Sequence, residues 1–449
     1  MSPTYAQTLP SIKKKPALAP LLTRRSWLAA TAAWAAPPQP NILFFHADDL
    51  GFGDLACFGS PAIRTPNLDR LAAQGARLTQ HYACAPCCSP SRAGLLTGVY
   101  PQRTGVTGVL REEHDNTGMR QDLPTIAELL SRAGYDTALI GKWHLGMPPA
   151  YRPLRRGFQH FYGFLNGTID YHSHLSLGGG WKGREVTFHG NQPLRQQGYF
   201  PHLLCEEAVR YLKQKRNRPF YLHYATPLPH APYQVPEPWS RPYAHLGGNR
   251  ALYAGMVAHM DDEAGRLLRA LDESGQAANT LVVFASDNGW VKLQPANAPI
   301  GDNGPYRGGK YELYEGGIHS PCLVRWPGRV KAGSQVTSPV INLDWFPTLA
   351  AAAGAPLPAP VDGIDITAAL RGRSLPQRSL LWSFRDDLVQ TPRSYACRRG
   401  KWKFLEVGGK SLLFNLDTDP GETRNLAPRY PKLFRRLRSQ AYSLRQSGD

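Results

Sequence analysis

Two short, nearly unbroken apolar runs in this chain each end on acids. Asn41-Ile42-Leu43-Phe44-Phe45-His46-Ala47 stops at Asp48-Asp49-Leu50-Gly51, and Leu281-Val282-Val283-Phe284-Ala285-Ser286 stops at Asp287-Asn288-Gly289. Runs of this length and composition are the pattern of strands covered on both faces. Between them the period changes. Leu68, Leu71 and Ala72, and later Ile126, Leu129 and Leu130 before Gly134, fall at helical spacing, and Asp136 to Ile140 reads as the next strand. From Leu252 through Ser274 the spacing predicts an amphipathic helix with Met256, Met260, Ala264, Leu267, Leu268 and Leu271 on its apolar side. Asp261 and Asp262 on that helix are assigned to a solvated face or to helix contacts. Helix and strand in alternation predict a layered α/β domain. Its acids would lie at the carboxyl ends of parallel strands, where open sheets of this class build their sites.

The carboxyl-terminal part reads differently. Asn342 to Leu349 starts another helix, and the Pro-rich stretch Ala355 to Pro360 marks a boundary. Beyond it Leu380–Phe384, Ser394–Cys397, Lys401–Glu406 and Ser411–Asn415 are strand candidates at hairpin-like spacing, followed by a basic helix with Lys432, Arg435, Arg436, Arg438 and Arg445. A small antiparallel sheet with a final helix fits them, and Leu416 to Glu422 reads as a turn. The expected division is a first domain over residues 37–360 and a smaller one over 361–449.

With 449 residues, 42% hydrophobic and 10% aromatic, the chain can bury one large core and carry a second, smaller domain. Its 43 glycines and 40 prolines add many loops around that scaffold. A formal net charge of +18 favours polyanionic partners. No Lys/Arg run is interleaved with aromatics, which argues against nucleic acid. The seven cysteines show no repeated spacing, and Cys84, Cys87 and Cys88 lack the second Cys/His pair of a metal knuckle. Their odd number leaves at least one thiol unpaired or modified, and a disulfide from Cys84 or Cys87 to a distant partner stays open.

At the amino end Thr23-Arg24-Arg25-Ser26-Trp27-Leu28 precedes an alanine-rich apolar run that closes on Ala33-Trp34-Ala35. Twin arginines, a short apolar stretch and a small-x-small exit read as a bacterial twin-arginine export signal, too short for a stable membrane span. Removal after about Ala35 would leave residues 1–36 outside the fold and the protein periplasmic or secreted.

The chemistry centres on Ala85-Pro-Cys-Cys-Ser-Pro-Ser-Arg-Ala-Gly-Leu-Leu-Thr-Gly98. Pro90 suits a first helical turn, Ser89 is a natural N-cap and Gly98 a natural stop, so Cys88 should sit at a helix mouth with Arg92 one turn in. Unpaired N–H groups and the helix dipole favour an oxyanion there, sulfate or phosphate. A buried structural cysteine is the bland alternative. A cysteine-phosphatase loop is excluded by spacing, because the position six before Arg92 is Pro86. The four acid-end side chains, Asp48, Asp49, Asp287 and Asn288, would together suit a hard dication better than zinc, although each pair alone also reads as turn chemistry.

Cys88-Ser89-Pro90-Ser91-Arg92, with Leu95 to Pro101 and Arg103-Thr104-Gly105, resembles the signature of the type I sulfatases of the alkaline phosphatase superfamily, and the resemblance runs from Pro40 to about Pro428. The chain looks most like the arylsulfatase A and N-acetylgalactosamine-6-sulfatase branch. The resemblance implies an alkaline-phosphatase-like α/β fold, a large mixed sheet sandwiched by helices with a smaller carboxyl-terminal antiparallel sheet and helix. It implies hydrolysis of sulfate esters, here of a sulfated carbohydrate or aryl sulfate, and conversion of Cys88 to formylglycine (3-oxoalanine) by a formylglycine-generating enzyme. Asp48, Asp49, Asp287 and Asn288 fall on the family's metal-ligand positions, with modified Cys88 as a further ligand and calcium before magnesium as the ion.

Gly141-Lys142-Trp143-His144-Leu145-Gly146 matches a further family segment, and positions two apart in an extended stretch would let Lys142 and His144 share one face. His230, between Pro229 and Pro232, matches a sulfate-binding histidine that can protonate the leaving oxygen, and Lys310 matches a second active-site lysine. The glycines around Lys310 are expected to let backbone approach ligand closely. The implied mechanism hydrates the aldehyde at position 88: one hydroxyl attacks sulfur, and loss of the second proton then expels sulfate. Arg92, Lys142, Lys310, His230 and the metal would supply a positive field, with His144 the candidate base. His319-Ser320-Pro321 departs from the Arg-Val-Pro of many relatives and weakens carry-over of specificity. Residues 151–200, with Tyr171-His172-Ser173-His174 and Gly178 to Trp181, are expected to wall a sugar pocket, the His-x-His pair reading as a surface loop before a second metal site. His223 and His259 are taken as core or surface residues. A phosphodiester or phosphonate hydrolase, or a non-catalytic binder of sulfated glycans with unmodified Cys88, remain the rivals.

Overall fold

Each apolar run forms a fully buried strand, and the two lie side by side in the middle of one sheet. The computed structural model describes residues 39–110, 117–178, 181–292, 300–358, 360–386 and 390–447. The expected export signal and Gly179-Gly180 lie outside these described residues. In chain order the strands are β1 (Asn41–Ala47), β2 (Ala76–Leu78), β3 (His81–Tyr82), β4 (Asp136–Lys142), β5 (His160–Phe164), β6 (Thr187–His189), β7 (Gln192–Pro193), β8 (Phe220–Ala225), β9 (Thr280–Ser286), β10 (Cys322–Arg325), β11 (Ser334–Val336), β12 (Val340–Ile341), β13 (Ser379–Asp386), β14 (Thr391–Arg399), β15 (Trp402–Val407) and β16 (Lys410–Asn415). The longer helices are α1 (Pro66–Gln74), α2 (Cys88–Thr97), α3 (Ile126–Arg132), α4 (Phe200–Leu212), α5 (Gly248–Glu273), α6 (Trp345–Ala352) and α7 (Pro431–Ala441).

Ten strands form one mixed sheet in the order β11-β2-β10-β9-β1-β8-β4-β5-β6-β7. Its centre, β9, β1, β8, β4 and β5, is parallel, and β10 and β6 flank it antiparallel. Successive side chains of a strand point to opposite faces, and in β1 both faces are buried. Leu43 and Phe45 join a core built with residues of α1, α4 and α5, whereas Ile42 and Phe44 join another built with residues of α2, α3 and α6. Thus the unbroken apolar pattern reports a sheet sandwiched between helix layers. Burying a side chain such as Phe45 contributes about 1.5–3 kcal/mol.

Helix starts follow local chemistry. Thr125 and Glu128 form a reciprocal capping box at the head of α3. For α1 the cap comes from elsewhere: Asp261 of α5 is buried and accepts from the backbone N–H groups of Asn67 and Leu68. Asp262, its neighbour, is part-exposed with Arg269 3.8 Å away.

The carboxyl-terminal strands β13 to β16 form a separate antiparallel meander. One face packs Tyr395, Cys397, Phe404 and Leu413 on Leu437 and Ala441 of α7. The other sets Leu380, Trp382, Phe384 and Leu405 against Tyr82, Leu313, Ile318 and Leu343, and Trp382 Nε1 donates to Ala83 O at 2.8 Å. Glu422 is more than turn chemistry: it is buried and paired with Lys403 at 2.9 Å. All seven cysteines are free thiols. Among the described residues no helix is long and apolar enough to cross a membrane.

Candidate active site

The register of β1 against β9 pairs Ala47 with Ser286, so the next residues of both strands, Asp48 and Asp287, emerge together at their carboxyl ends. Asp49 then leaves the strand with φ 62°, and its N–H donates to Asp287 Oδ1 at 3.1 Å. Asn288 Nδ2 donates to Asp49 Oδ1 at 2.7 Å. Acids 239 positions apart thereby share one buried cluster.

Cys88 opens α2, facing this cluster with Sγ 3.9 Å from Asp49 Oδ1. The N-cap is Cys87, not Ser89; Ser89 lies inside the first turn, where its Oγ accepts from Leu110 N. Gly98 ends the helix with φ 70°, as its position predicts. Ser91 Oγ donates to Asp287 O at 2.5 Å and Asn342 Nδ2 donates to Ser91 O at 3.0 Å, which locks the helix to the acid end of β9. Burial pushes the Cys88 thiol up to about 12 in spite of Lys142 and Lys310. The unmodified side chain is therefore a neutral, weak nucleophile at neutral pH.

Three cations balance the three carboxylates. Arg92 Nε and Nη2 both donate to Asp287 Oδ2, at 3.0 and 2.8 Å, while Lys142 Nζ holds Asp48 Oδ2 at 2.6 Å and Lys310 Nζ holds Asp49 Oδ2 at 2.7 Å. Burial opposes charge on Asp48 and Asp49, but Lys142 and Lys310 first among the neighbours hold both carboxyls below the usual range. Removing one partner from such a pair leaves an uncompensated buried charge, a cost of about 3–5 kcal/mol. The glycines near Lys310 serve the loop itself: a Cβ on Gly317 would lie 2.0 Å from Glu312 O, and one on Gly316 would lie 2.4 Å from Gly308 O. Backbone approaches backbone there, not ligand.

His144 is buried close enough to feel the charges of Lys142, Arg92 and Asp48, but its backbone takes a different path from the one expected. Its φ of 57° breaks the extended path after β4, so alternation along a strand does not set its direction. Its Nε2 lies 3.2 Å from Leu110 O, and a carbonyl can only accept, so Nε2 carries the proton and Nδ1, buried without a hydrogen-bond partner, keeps the lone pair. Burial and then Lys142 hold its pKa well below the usual imidazole value. His230 Nε2 lies 3.5 Å from Asp49 Oδ2, and its side chain is the most exposed of the ion-paired groups here. Burial lowers its pKa while Asp48 and Asp49 pull the other way.

Sequence reading missed what positions the His230 loop. Tyr171, buried, points its hydroxyl at the carbonyls of Pro227 and His230, at 2.9 and 2.8 Å, and Gln234 Oε1 accepts from its N–H. Tyr171 is thus a platform for this loop and not an exposed wall. His174 is buried and His172 exposed, which parts the His-x-His pair. His223 and His259 are buried, the former bonded to the Tyr221 hydroxyl. His319 is buried too, between Glu315 Oε2 and Thr79 O.

The donors fit a hard cation. Side-chain atoms of Asp48, Asp49, Cys88 and His230 all lie within 4.8 Å of one another. Asp48 Oδ1 and Asn288 Oδ1 are buried without a hydrogen-bond partner, the former with Arg92 Nη2 no nearer than 3.4 Å. An unmet buried oxygen costs about 1–3 kcal/mol, which an oxygen-seeking dication would offset. Asp287 spends both oxygens on Arg92 and the Asp49 N–H.

Residues 40–355 match the family model described as Sulfatase, and residues 307–447 match that of N-sulphoglucosamine sulphohydrolase, C-terminal. Arylsulfatase A of Homo sapiens is 34% identical, the match covering 89% of this chain and 85% of that protein. Steryl-sulfatase of Mus musculus is also 34% identical, over 89% of this chain and 81% of that protein. The crystal structure of Ps i-CgsB in complex with k-i-k-neocarrahexaose superposes with a TM-score of 0.86 at 31% identity, covering 92% of this chain and 94% of that one.

Proposed function

This chain belongs to the sulfatase family and is a sulfuric ester hydrolase, and from that premise we propose that it releases inorganic sulfate from a sulfated carbohydrate, using a formylglycine made from Cys88 and a bound calcium ion. The observation that carries the proposal is the first turn of α2, where Cys88 meets Asp49 beside the lysine-held acids and two unmet oxygens. The carbohydrate reading rests on the likeness to a neighbour crystallised with k-i-k-neocarrahexaose and on a net charge of +18. A steryl-sulfatase among the relatives makes steryl sulfate the control substrate.

Asp48, Asp49 and Asn288, with residue 88 and a lone pair that Asp287 keeps beyond its hydrogen bonds, would hold the ion, which would supply charge neutralisation at a sulfate oxygen. Formylglycine supplies, once hydrated, one hydroxyl to attack sulfur and a second whose deprotonation expels sulfate. The chain's own groups do the rest. Arg92, Lys142 and Lys310 are fixed before substrate arrives, so their charge stabilises the transition state without reorganising. His144 Nδ1, with its lone pair free, takes a proton from the nucleophile. His230 Nε2 gives one to the leaving oxygen; its imidazolium, opposed by burial, is favoured by Asp48, Asp49 and the sulfate anion itself.

The test is chemical. In enzyme matured with a formylglycine-generating enzyme, the tryptic peptide carrying residue 88 should be about 18 Da lighter than the thiol form. The same preparation should release sulfate from defined sulfated saccharides faster than from steryl sulfate or a phosphodiester. An unmodified peptide in active enzyme, or a preference for the phosphodiester, would sink the proposal. We also propose twin-arginine export to the periplasm or beyond; equal export of an Arg24→Lys/Arg25→Lys variant, read by cell fractionation, would refute it.

A further inference from the structure

A second group of ligating side chains stands at the other end of the sheet. His160 opens β5, paired with Ala138 near the start of β4, whereas Lys142 and Phe164 pair at the end that carries the acids. Four residues of strand separate the two ends, about 13 Å. His189 closes β6 opposite Tyr162, on the same face of the pair as His160, and the two imidazole rings are 5.5 Å apart at an interplanar angle of 67°. Glu207, from α4, completes the group. Its carboxylate is buried, with Oε1 2.9 Å from His160 Nε2, and Arg210 lies on its second oxygen. His160 Nε2 is buried, with the Glu207 carboxylate as the polar group beside it. Tyr211 and Tyr162 wall the two rings.

We propose that His160, His189 and Glu207 form a zinc site distinct from the hydrolytic centre, tying α4 to the β5–β6 edge of the main sheet. One donor atom from each already lies within 4.8 Å of the other two. Zinc at about 2.0–2.1 Å from each donor would set them about 3.3 Å apart, a distance the His160–Glu207 pair already falls below and that exposed His189 can reach by turning its ring. Two imidazoles and one carboxylate are borderline ligands that suit Zn²⁺ and not Ca²⁺, opposite in character to the oxygen donors around Asp48. Exposure of His189 leaves the fourth position to water. The site is structural: no group in it faces residue 88, and its ion would cross-link two layers of the fold.

The experiment uses the full, calcium-loaded enzyme, stripped of transition metals, titrated with Zn²⁺ by calorimetry and with Co²⁺ by visible absorption. Wild type should take up one equivalent of Zn²⁺ beyond its calcium, show a Co²⁺ ligand-field band of low coordination number, and melt at higher temperature with zinc. His189→Ala, which alters only an exposed ring, should bind Zn²⁺ at least tenfold more weakly and lose both the band and the thermal gain, with sulfate-ester turnover unchanged. Glu207→Gln should weaken Zn²⁺ in the same way. Zinc uptake equal in wild type and His189→Ala, or none beyond the hydrolytic centre, would overturn the assignment.

Discussion

Lys310 and Lys142 are spent on the first acid pair, one lysine to each aspartate, so their charge is fixed in place before any substrate enters. Lys310→Ala is therefore expected to lower kcat/KM for a sulfate ester by roughly 10²–10³-fold, the cost of one preorganised positive group, as steady-state kinetics will show. Asp170 makes a prediction of another kind. Partial burial raises its pKa, but hydrogen bonds from Ser173 N, Gln234 Nε2 and His172 N overcome that and hold it at about 2. A carboxyl held below its unfolded value of about 3.9 contributes stability that is present above pH 4 and lost as pH falls toward 2. Asp170→Asn should lower the melting temperature at pH 7 and flatten its fall between pH 4 and 2, followed by calorimetry. Residues of this kind divide sharply in how far sequence reveals them. Cys88, Arg92 and both acid pairs were legible because their neighbours in sequence carry the signal. Asn342, Tyr171 and the Leu110 carbonyl were not, since the first acts on Ser91 across 251 positions and the others through contacts no local pattern encodes.

Elements show the same division by length. The seven-residue β1 and β9 and the 26-residue α5 have enough positions to display a period, whereas β3, β7 and β12, at two residues each, have none to read. What joins elements was hidden as well. Lys403 on β15 reaches Glu315 Oε1 at 2.8 Å and Glu422 Oε1 at 2.9 Å, all three buried, and Tyr82 donates to Glu315 Oε2 at 2.5 Å. Glu315 lies five residues beyond Lys310, so this cluster links the small sheet to the segment that carries Lys310, the partner of Asp49. Burial pushes the Glu422 carboxyl up to about 7 against the pull of Lys403. Lys403→Met would leave two carboxyls facing each other without a cation, and is expected to cost about 3–5 kcal/mol in urea unfolding. It should also reduce kcat, because the Lys310 segment loses its anchor.

Across the whole molecule, a net charge of +18, to which Lys13, Lys14, Lys15, Arg24 and Arg25 of the expected export signal contribute, leaves the processed chain strongly basic and should draw polyanions from a distance. With a multiply sulfated oligosaccharide, kcat/KM is expected to fall about tenfold between 50 and 500 mM salt, and much less with a small aryl sulfate, since screening shortens from about 14 to 4 Å. The layered fold itself was legible from alternating elements; the pairing order of its ten strands was not, because register depends on contacts between distant segments. The proposed function rests on residue 88 as the reacting group. The most direct measurement is inorganic sulfate released by Cys88→Ala beside wild type, both matured with a formylglycine-generating enzyme and loaded with calcium. Wild type should turn over and the variant should be slower by at least about 10⁴-fold; equal release by the two would contradict the account.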